Sequence, residues 1–276
     1  MFKKVRLQKE IQKTCKVVIV MAKKIMFASQ KGGVAKTTST GITAEILAAA
    51  GFRVLVVDMD PQGNITKMLT GNSIYKYTGE TTLEAVKENN AEKYTLNIKD
   101  NLDLIPAEDR LATFSRHIYS SRAENPIKVI SRTLEPVSHK YDYIFMDVGP
   151  SLGDLTINAM VYADYVIVPV DYGDFATDAI SRFIEFVDAS REEGNTKAII
   201  LGILLAMRDA RSNYERDLAE IIRGDYGDLV FKAEINRRVG LKKMATYGVN
   251  LSDPVLEDYY AMVEELMERM KEEERV

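Results

Sequence analysis

FASQKGGVAKTTSTG, residues 27–41, is the stretch of this sequence that decides the fold. It resembles the phosphate-binding pattern G-x-x-x-x-G-K-[ST], in which a glycine-rich turn joins a strand to a helix. Gln30 and Ala35 stand where that pattern has its two glycines, and an additional lysine, Lys31, precedes a glycine pair. The stretch therefore predicts a phosphate site with an altered loop, and it leaves the task of the additional lysine open.

The loop retains the parts that bind phosphate. Two adjacent glycines let the backbone approach an anion closely, and the amide groups at the start of the following helix point towards it, helped by about half a positive charge from the helix dipole. A lysine at position 36 would reach the β- and γ-phosphates, and the next hydroxyl would bind Mg²⁺. A helix-capping turn among surface lysines is the alternative, which the strand pattern before the loop and the helix pattern after it disfavour. We expect nucleotide contacts from Lys31, Gly32, Gly33, Val34, Ala35, Lys36, Thr37 and Thr38.

Short apolar runs alternate with helical patterns along the chain. The runs are rich in Val and Ile and hardly alternate with polar residues, as in strands buried on both faces of a parallel sheet. This βαβα order predicts an α/β fold with a doubly wound, mostly parallel sheet, helices on both faces, and ligands at the carboxyl ends of the strands. The predicted strands are residues 24–29, 53–58, 102–107, 141–148, 164–170 and 198–206; the predicted helices are residues 36–50, 127–137, 152–163, 175–193 and 211–223, the last stopped by Gly224.

The domain organisation is simple. No linker or internal repeat interrupts the chain, so residues 23–276 are expected to form a single domain behind a basic extension, residues 1–22. Residues 71–101 are polar and predict a surface excursion with one short helix at residues 81–87.

Composition excludes several classes of protein. The 276 residues contain one cysteine, Cys15, which excludes an internal disulfide framework and a C-x-x-C zinc site and favours a reducing cytoplasm. No run approaches the roughly 20 apolar residues of a membrane-spanning helix, so no membrane is expected. The net charge is −4, so any binding to nucleic acid must come from a local patch.

Acidic residues follow two of the predicted strands. VLVVDMDPQGN ends a strand with Asp58 and continues to Asp60, and YIFMDVGPS ends another with Asp147. Because the carboxyl ends of parallel strands meet at one edge of the sheet, these carboxylates would surround the phosphate loop. A hard cation needs oxygen ligands there, which makes the three aspartates candidates for the metal and its water.

The motifs together resemble the ParA/Soj type of the ParA/MinD superfamily, the deviant Walker A ATPases. The resemblance covers residues 23–271 and rests on KGGVAKTT, VVDMDPQGN, YDYIFMDVGPSLGDLTINAM and ADYVIVPVD, which follow the family's order and spacing. It implies a P-loop NTPase fold of the deviant Walker A type, with ATP and Mg²⁺ as cofactors and slow hydrolysis of ATP to ADP and phosphate.

The resemblance also implies a role for each charged residue of the site. Lys31 would reach across a nucleotide-sandwiched homodimer to the phosphates of the partner subunit. Lys36 corresponds to the loop lysine and Asp60 to the residue that orients the attacking water, so these three residues are the catalytic candidates. The metal candidates are Thr37, Asp58 near the metal, and Asp147 as the Walker B aspartate.

Three positions depart from the family pattern. Ala35 stands where the family usually has Gly, and Gly149 stands where Pro is usual after the Walker B aspartate. Asp171 replaces a frequent Gln. None of these changes removes a charge that hydrolysis requires.

Two later segments match the family more loosely. GILLAMRDARSNY resembles the segment beside the adenine, with Met207, Asp209 and Arg211 in matching places, and we expect nucleotide contacts from Met207, Asp209 and Asn236. AEINRRVGLKKMATYG aligns with a basic stretch of the family, and the alternative for its charges is a solvated face. The expected DNA contacts are Arg237, Arg238, Lys242 and Lys243.

The function that the resemblance implies is DNA segregation. An ATP dimer would bind DNA non-specifically and associate with the nucleoid, and a ParB-like adaptor would stimulate hydrolysis and release. The alternatives are a MinD-like membrane positioner or a positioner of a protein cargo; a metabolic amide-forming relative is a third class. The apolar spacing of residues 259–270 indicates a docking face, and its acidic surroundings argue against membrane binding.

Overall fold

One twisted sheet forms the centre of the molecule in the computed structural model, which describes residues 21–121, 124–173 and 176–275. Within these ranges the sheet has the order β3-β4-β2-β5-β1-β6-β7-β8, and every neighbouring pair is parallel except β3 and β4. The strands are β1 (Lys23–Phe27), β2 (Val54–Met59), β3 (Leu96–Lys99), β4 (Leu102–Ile105), β5 (Tyr143–Val148), β6 (Tyr165–Val170), β7 (Ile199–Arg208) and β8 (Ile235–Asn236).

Helices cover both faces of the sheet, so the doubly wound fold predicted from the sequence is confirmed. Successive strand residues point to opposite faces: Ile25 and Phe27 belong to one buried cluster, and Met26 belongs to the other. The α-helices are α1 (Lys36–Ala49), α2 (Asn64–Thr70), α3 (Thr82–Glu88), α4 (Phe114–Ser120), α5 (Val129–Ser138), α6 (Asp154–Tyr162), α7 (Ala176–Glu192), α8 (Asn213–Tyr226), α9 (Val239–Tyr247) and α10 (Glu257–Glu273).

The six predicted strands and the helix at 81–87 are present, with small changes of boundary. The sequence missed both edge strands, because β3 is short, half-buried and partly polar and β8 has only two residues. It also placed the end of α8 too early. Gly224 lies inside that helix, which ends at Tyr226 and is capped by Gly227, where a positive φ of 52° suits a residue without a side chain.

The apolar stripe of α10 docks on the chain's own core. Tyr259, Met262, Val263, Leu266 and Met270 are all fully buried, and α10 packs against α1. The hydroxyl groups of Tyr259 and Ser39 are 3.1 Å apart, which ties α10 to the helix behind the phosphate loop. The stripe is therefore an internal packing surface of this subunit.

Two further points concern the ends and the surface. The predicted basic extension lies outside the described residues except for its last two, of which Ala22 is buried and Met21 is exposed. Among the described residues, no helix combines the length and the apolar character needed to cross a membrane.

Candidate functional site

The phosphate loop connects the central strand β1 to α1. The backbone takes left-handed conformations at Gly33 (φ 78°) and at Ala35 (φ 66°), the residue that immediately precedes α1. Glycine adopts this conformation freely, whereas a residue with a Cβ is strained in it. An added Cβ at Gly32 or Gly33 would meet no atom within 4 Å, so the loop is open on that side to a phosphate.

Lys36 is buried and folded back onto the loop. Its Nζ donates hydrogen bonds to the carbonyl oxygens of Lys31, at 2.8 Å, and of Ser29, at 3.2 Å. Burial lowers the pKa of Lys36, while the charges of Asp147 and Asp60 raise it. The ammonium group thus lies inside the loop, where burial lowers its pKa and the two nearby carboxylates offset only part of that effect.

Asp147 lies directly beside this loop at the end of β5. It is fully buried, and neither of its carboxylate oxygens has a hydrogen-bond partner of ordinary geometry among the described residues. Burial raises its pKa well above the usual value, the neighbouring charge of Asp58 raises it further, and the Thr37 hydroxyl and Lys36 lower it. A buried carboxylate without partners is costly. A hard cation between Asp147 and the Thr37 hydroxyl would satisfy it, so these residues fit Mg²⁺.

Asp58 is the neighbour of Asp147 in the sheet, as the sequence predicted from parallel strand ends. Its oxygens are already engaged: Oδ2 accepts hydrogen bonds from the Thr66 hydroxyl (2.6 Å) and amide (3.1 Å), and Oδ1 accepts one from the Asp60 amide (3.1 Å). Burial raises the pKa of Asp58 to about 7, against these hydrogen bonds, which lower it. Asp58 therefore fixes the start of α2 and the turn that carries Asp60.

Asp60 is half-buried and points towards the chain beyond β5. Its Oδ1 accepts a hydrogen bond from the Gln62 amide at 3.0 Å. A Cβ added at Gly149 would come within 3.3 Å of Asp60 Oδ2, closer than most side-chain contacts. The glycine that replaces the usual proline thus leaves room for the Asp60 carboxylate.

Lys31 forms an ion pair with Asp171 of the same chain. Its Nζ lies 2.7 Å from Asp171 Oδ1, and the two side chains remain 40% and 22% exposed. The pairing involves the departure at position 171, which sequence reasoning noted without assigning it a partner. Lys31 is not among the residues that line the cavity described next.

A cavity of about 380 Å³ extends from the phosphate loop to α9 and α10. Met207 lines it and has a φ of 64°, a strained value for a long side chain of the kind that concentrates at binding sites. The sequence missed several lining residues, although Gln62 and Asn64 stand in the quoted motif DPQGN. The lining consists of Gly32, Gly33, Ala35, Lys36, Thr37, Thr38, Asp60, Gln62, Asn64, Val148, Pro150, Met207, Arg238, Leu241, Lys242, Ala245 and Tyr259.

The other two residues expected beside the adenine have hydrogen-bond partners outside this cavity. Asp209 Oδ1 accepts hydrogen bonds from the backbone and side chain of Arg211. Asn236 donates from its amide and its side chain to Asp258 Oδ2, at 3.1 and 3.0 Å. Of the three residues, the structure brings only Met207 to the cavity lining.

The four predicted DNA contacts divide into two pairs. All four are exposed, but Arg238 and Lys242 line this cavity, whereas Arg237 and Lys243 do not. Arg238 also forms an ion pair with Asp258, with 3.4 Å between Nη2 and Oδ1. Helical spacing places Val239, Lys243 and Tyr247 on one exposed face of α9. The charges in the sequence could not predict which of these four side chains line the cavity, because that depends on the position of α9 in the fold.

Comparison with known proteins agrees with this geometry. A family model described as an AAA domain matches residues 22–200. The sporulation initiation inhibitor protein Soj of Bacillus subtilis is 36% identical over 247 residues, which are 85% of this chain and 92% of that protein.

Solved structures show similarity over most of the chain. A putative plasmid partition protein of Borrelia burgdorferi, bound to AMPPNP, has a TM-score of 0.75 at 28% identity and covers 91% of this chain and 99% of its own. Cobyrinic acid a,c-diamide synthase of Mycobacterium smegmatis, with ADP and magnesium, has a TM-score of 0.72 at 28% identity and covers 83% and 92%.

Nucleotide and magnesium are therefore bound by relatives with this fold. The family model covers more than half of the chain and spans both the phosphate loop and the aspartate motifs, and the similarity to Soj extends over 85% of the chain. The chain belongs to the ParA/Soj-type partition ATPases of the ParA/MinD superfamily and is an ATPase.

Proposed function

We propose that this chain is an ATP-dependent dimerising ATPase for DNA segregation, which binds DNA non-specifically in its ATP state. Hydrolysis, stimulated by a ParB-like adaptor, would end that state. The observation that carries the proposal is that the loop contains one more lysine than a single site uses: Lys36 lines the cavity, whereas Lys31 lies outside it and is 40% exposed. Such a lysine would reach the phosphates of the nucleotide bound by a second subunit.

The residues of this chain divide the work. Lys36 would leave the carbonyl oxygens of Ser29 and Lys31 and bind the β- and γ-phosphates, joined by the amide groups at the start of α1. Thr37 and Asp147 would hold Mg²⁺, which supplies charge neutralisation at the phosphates when it is bound. Asp60, half-buried over Gly149, would orient the attacking water. Positioning and charge stabilisation of this kind provide most of the catalysis in phosphoryl transfer.

Dimerisation would depend on the γ-phosphate. Lysines from both subunits make the sandwich attractive only while that phosphate is present, and a switch needs such a difference in affinity between its two states. The burial of the apolar stripe of α10 argues against the membrane-positioning alternative, because that stripe is occupied within the subunit.

DNA binding in this scheme belongs to the basic segment, residues 232–243, which contains five bases against Glu234 in an otherwise acidic protein. Arg237, Arg238, Lys242 and Lys243 are the proposed contacts, and all are exposed. Dimerisation doubles the patch, and two weak sites on one duplex bind together far better than either does alone.

The test is the Asp60→Ala variant. It removes the water-orienting carboxylate without removing a phosphate contact, so we expect normal ATP binding, lost hydrolysis and a trapped dimer. Light scattering with ATP, ADP and no nucleotide measures the dimer, and phosphate release measures hydrolysis. Asp100→Ala, at an exposed turn between β3 and β4, is the matched control. A monomer under all conditions, in wild type and Asp60→Ala alike, would contradict the proposal.

A further inference from the structure

Asp171 holds the additional lysine of the phosphate loop. Lys31 comes shortly after β1, and Asp171 directly follows Val170, the last residue of β6. β1 and β6 are hydrogen-bonded neighbours, so the sheet itself brings the two side chains to the same edge. The 2.7 Å separation between Nζ and Oδ1 is that of a short, charge-assisted hydrogen bond.

The space that the Lys31 ammonium group occupies depends on the absence of a side chain at Gly173. A Cβ added at Gly173 would collide with Lys31 Nζ, which is the nearest atom to that position. Asp171 Oδ1 also accepts a weak hydrogen bond, at 3.4 Å, from the Gly173 amide. Residues 171 and 173 therefore provide both the charge and the space that Lys31 occupies in the free subunit.

This arrangement creates a competition. The Asp171 carboxylate and the phosphates of a second subunit would both attract the single Lys31 ammonium group, so its contact with Asp171 opposes its reach across a dimer. We propose that Asp171 is a positioning residue that restrains Lys31 within its own subunit and so raises the ATP and protein concentrations at which the dimer forms. This inference rests on the proposed function, because it assumes that Lys31 acts across a dimer.

The expected effect is moderate. The pair is partly exposed, and ion pairs of this kind change an equilibrium by a factor of up to about 5. A two-fold symmetric dimer breaks two such pairs. Removing the Asp171 charge should therefore tighten the ATP dimer by between about 2-fold and about 30-fold.

The first experiment measures the dissociation constant of the ATP dimer by sedimentation in wild type, Asp171→Asn and Asp142→Asn. Asp142 is the matched control, because it forms an equally short 2.7 Å ion pair with Arg53 at the other end of the strands. We expect a tighter dimer for Asp171→Asn and no change for Asp142→Asn. A weaker or unchanged Asp171→Asn dimer would overturn the inference, since Asp171 would then assist Lys31 or have no effect on it.

A second experiment needs no dimer. The rate at which an amine-acylating reagent modifies Lys31 in the nucleotide-free protein is measured by mass spectrometry relative to the exposed Lys128. Asp171→Asn should increase that ratio by about 2-fold or more, because the ammonium group is released. An unchanged ratio would show that Asp171 does not restrain Lys31. If Asp171→Asn increases the ratio as expected but the wild-type protein never dimerises with ATP, the proposed function fails while the restraint itself stands.

Discussion

The phosphate loop and the basic segment on α9 both present positive charge to one cavity, but they differ in how that charge is held. Lys36 is 7% exposed, has two carbonyl acceptors and lies near the buried carboxylate of Asp147. Arg238 and Lys242, the residues of the basic segment that line this cavity, are exposed side chains at the start of α9. A charge that backbone hydrogen bonds hold in place gives a specific binding site. Exposed charges instead give affinity that depends on salt and has little specificity.

The largest effect should come from Lys36→Ala. The change removes a buried ammonium group that is poised for phosphate and leaves the anion without its main counter-charge. We expect ATP affinity to fall by about 100-fold or more, as for other buried charge-assisted contacts. Calorimetric titration with ATP and Mg²⁺ measures it. Lys128→Ala, an exposed lysine near the start of α5, should bind ATP as wild type does. Equal affinity in both variants would show that Lys36 is not the phosphate lysine.

An intermediate effect should distinguish the two pairs of the basic segment. Arg237→Ala with Lys243→Ala should make the negative slope of log affinity for DNA against log salt shallower by about 1.8, at about 0.9 per phosphate contact. ATP binding should remain unchanged. Arg238→Ala with Lys242→Ala should also weaken ATP binding, because these two side chains line the cavity. Each double variant serves as the control for the other. Identical behaviour in both assays would show that α9 is not divided in this way.

The smallest effect should come from Ala35→Gly in the nucleotide-free protein. The left-handed backbone at Ala35 costs about 1–2 kcal/mol with a Cβ present, and glycine removes this strain. Glycine also raises the conformational entropy of the unfolded chain, which offsets part of the stabilisation. We expect the free energy of unfolding to rise by up to about 1 kcal/mol, measured in urea. Ala49→Gly, at the exposed right-handed end of α1, should lower stability instead. A loss of stability in both variants would contradict the strain at position 35.

The sequence predicts the fold from strands that are buried on both faces, because such runs have little alternation and few other interpretations. It predicts the meeting of Asp58 and Asp147 equally well, since parallel strands end at one edge. Contacts set by tertiary packing are different. The pairing of Lys31 with Asp171 joins positions 140 residues apart and depends on the adjacency of β1 and β6. Likewise, Lys242 lines the cavity because of the position of α9 in the fold, which no local sequence pattern predicts.

The place of β1 in the sheet has a consequence for synthesis. Lys23 pairs with Tyr143 and Ile25 with Tyr165, so the strand before the phosphate loop has all of its strand neighbours far downstream. Contacts of such long sequence separation form slowly, because a long loop must close before they stabilise the chain. At about 5–20 residues per second, the ribosome needs roughly 7 to 30 s after making β1 to complete β6. Until β5 and β6 are made, Ile25, Met26 and Phe27 lack their neighbouring strands, and transiently exposed apolar residues of this kind are prone to aggregation.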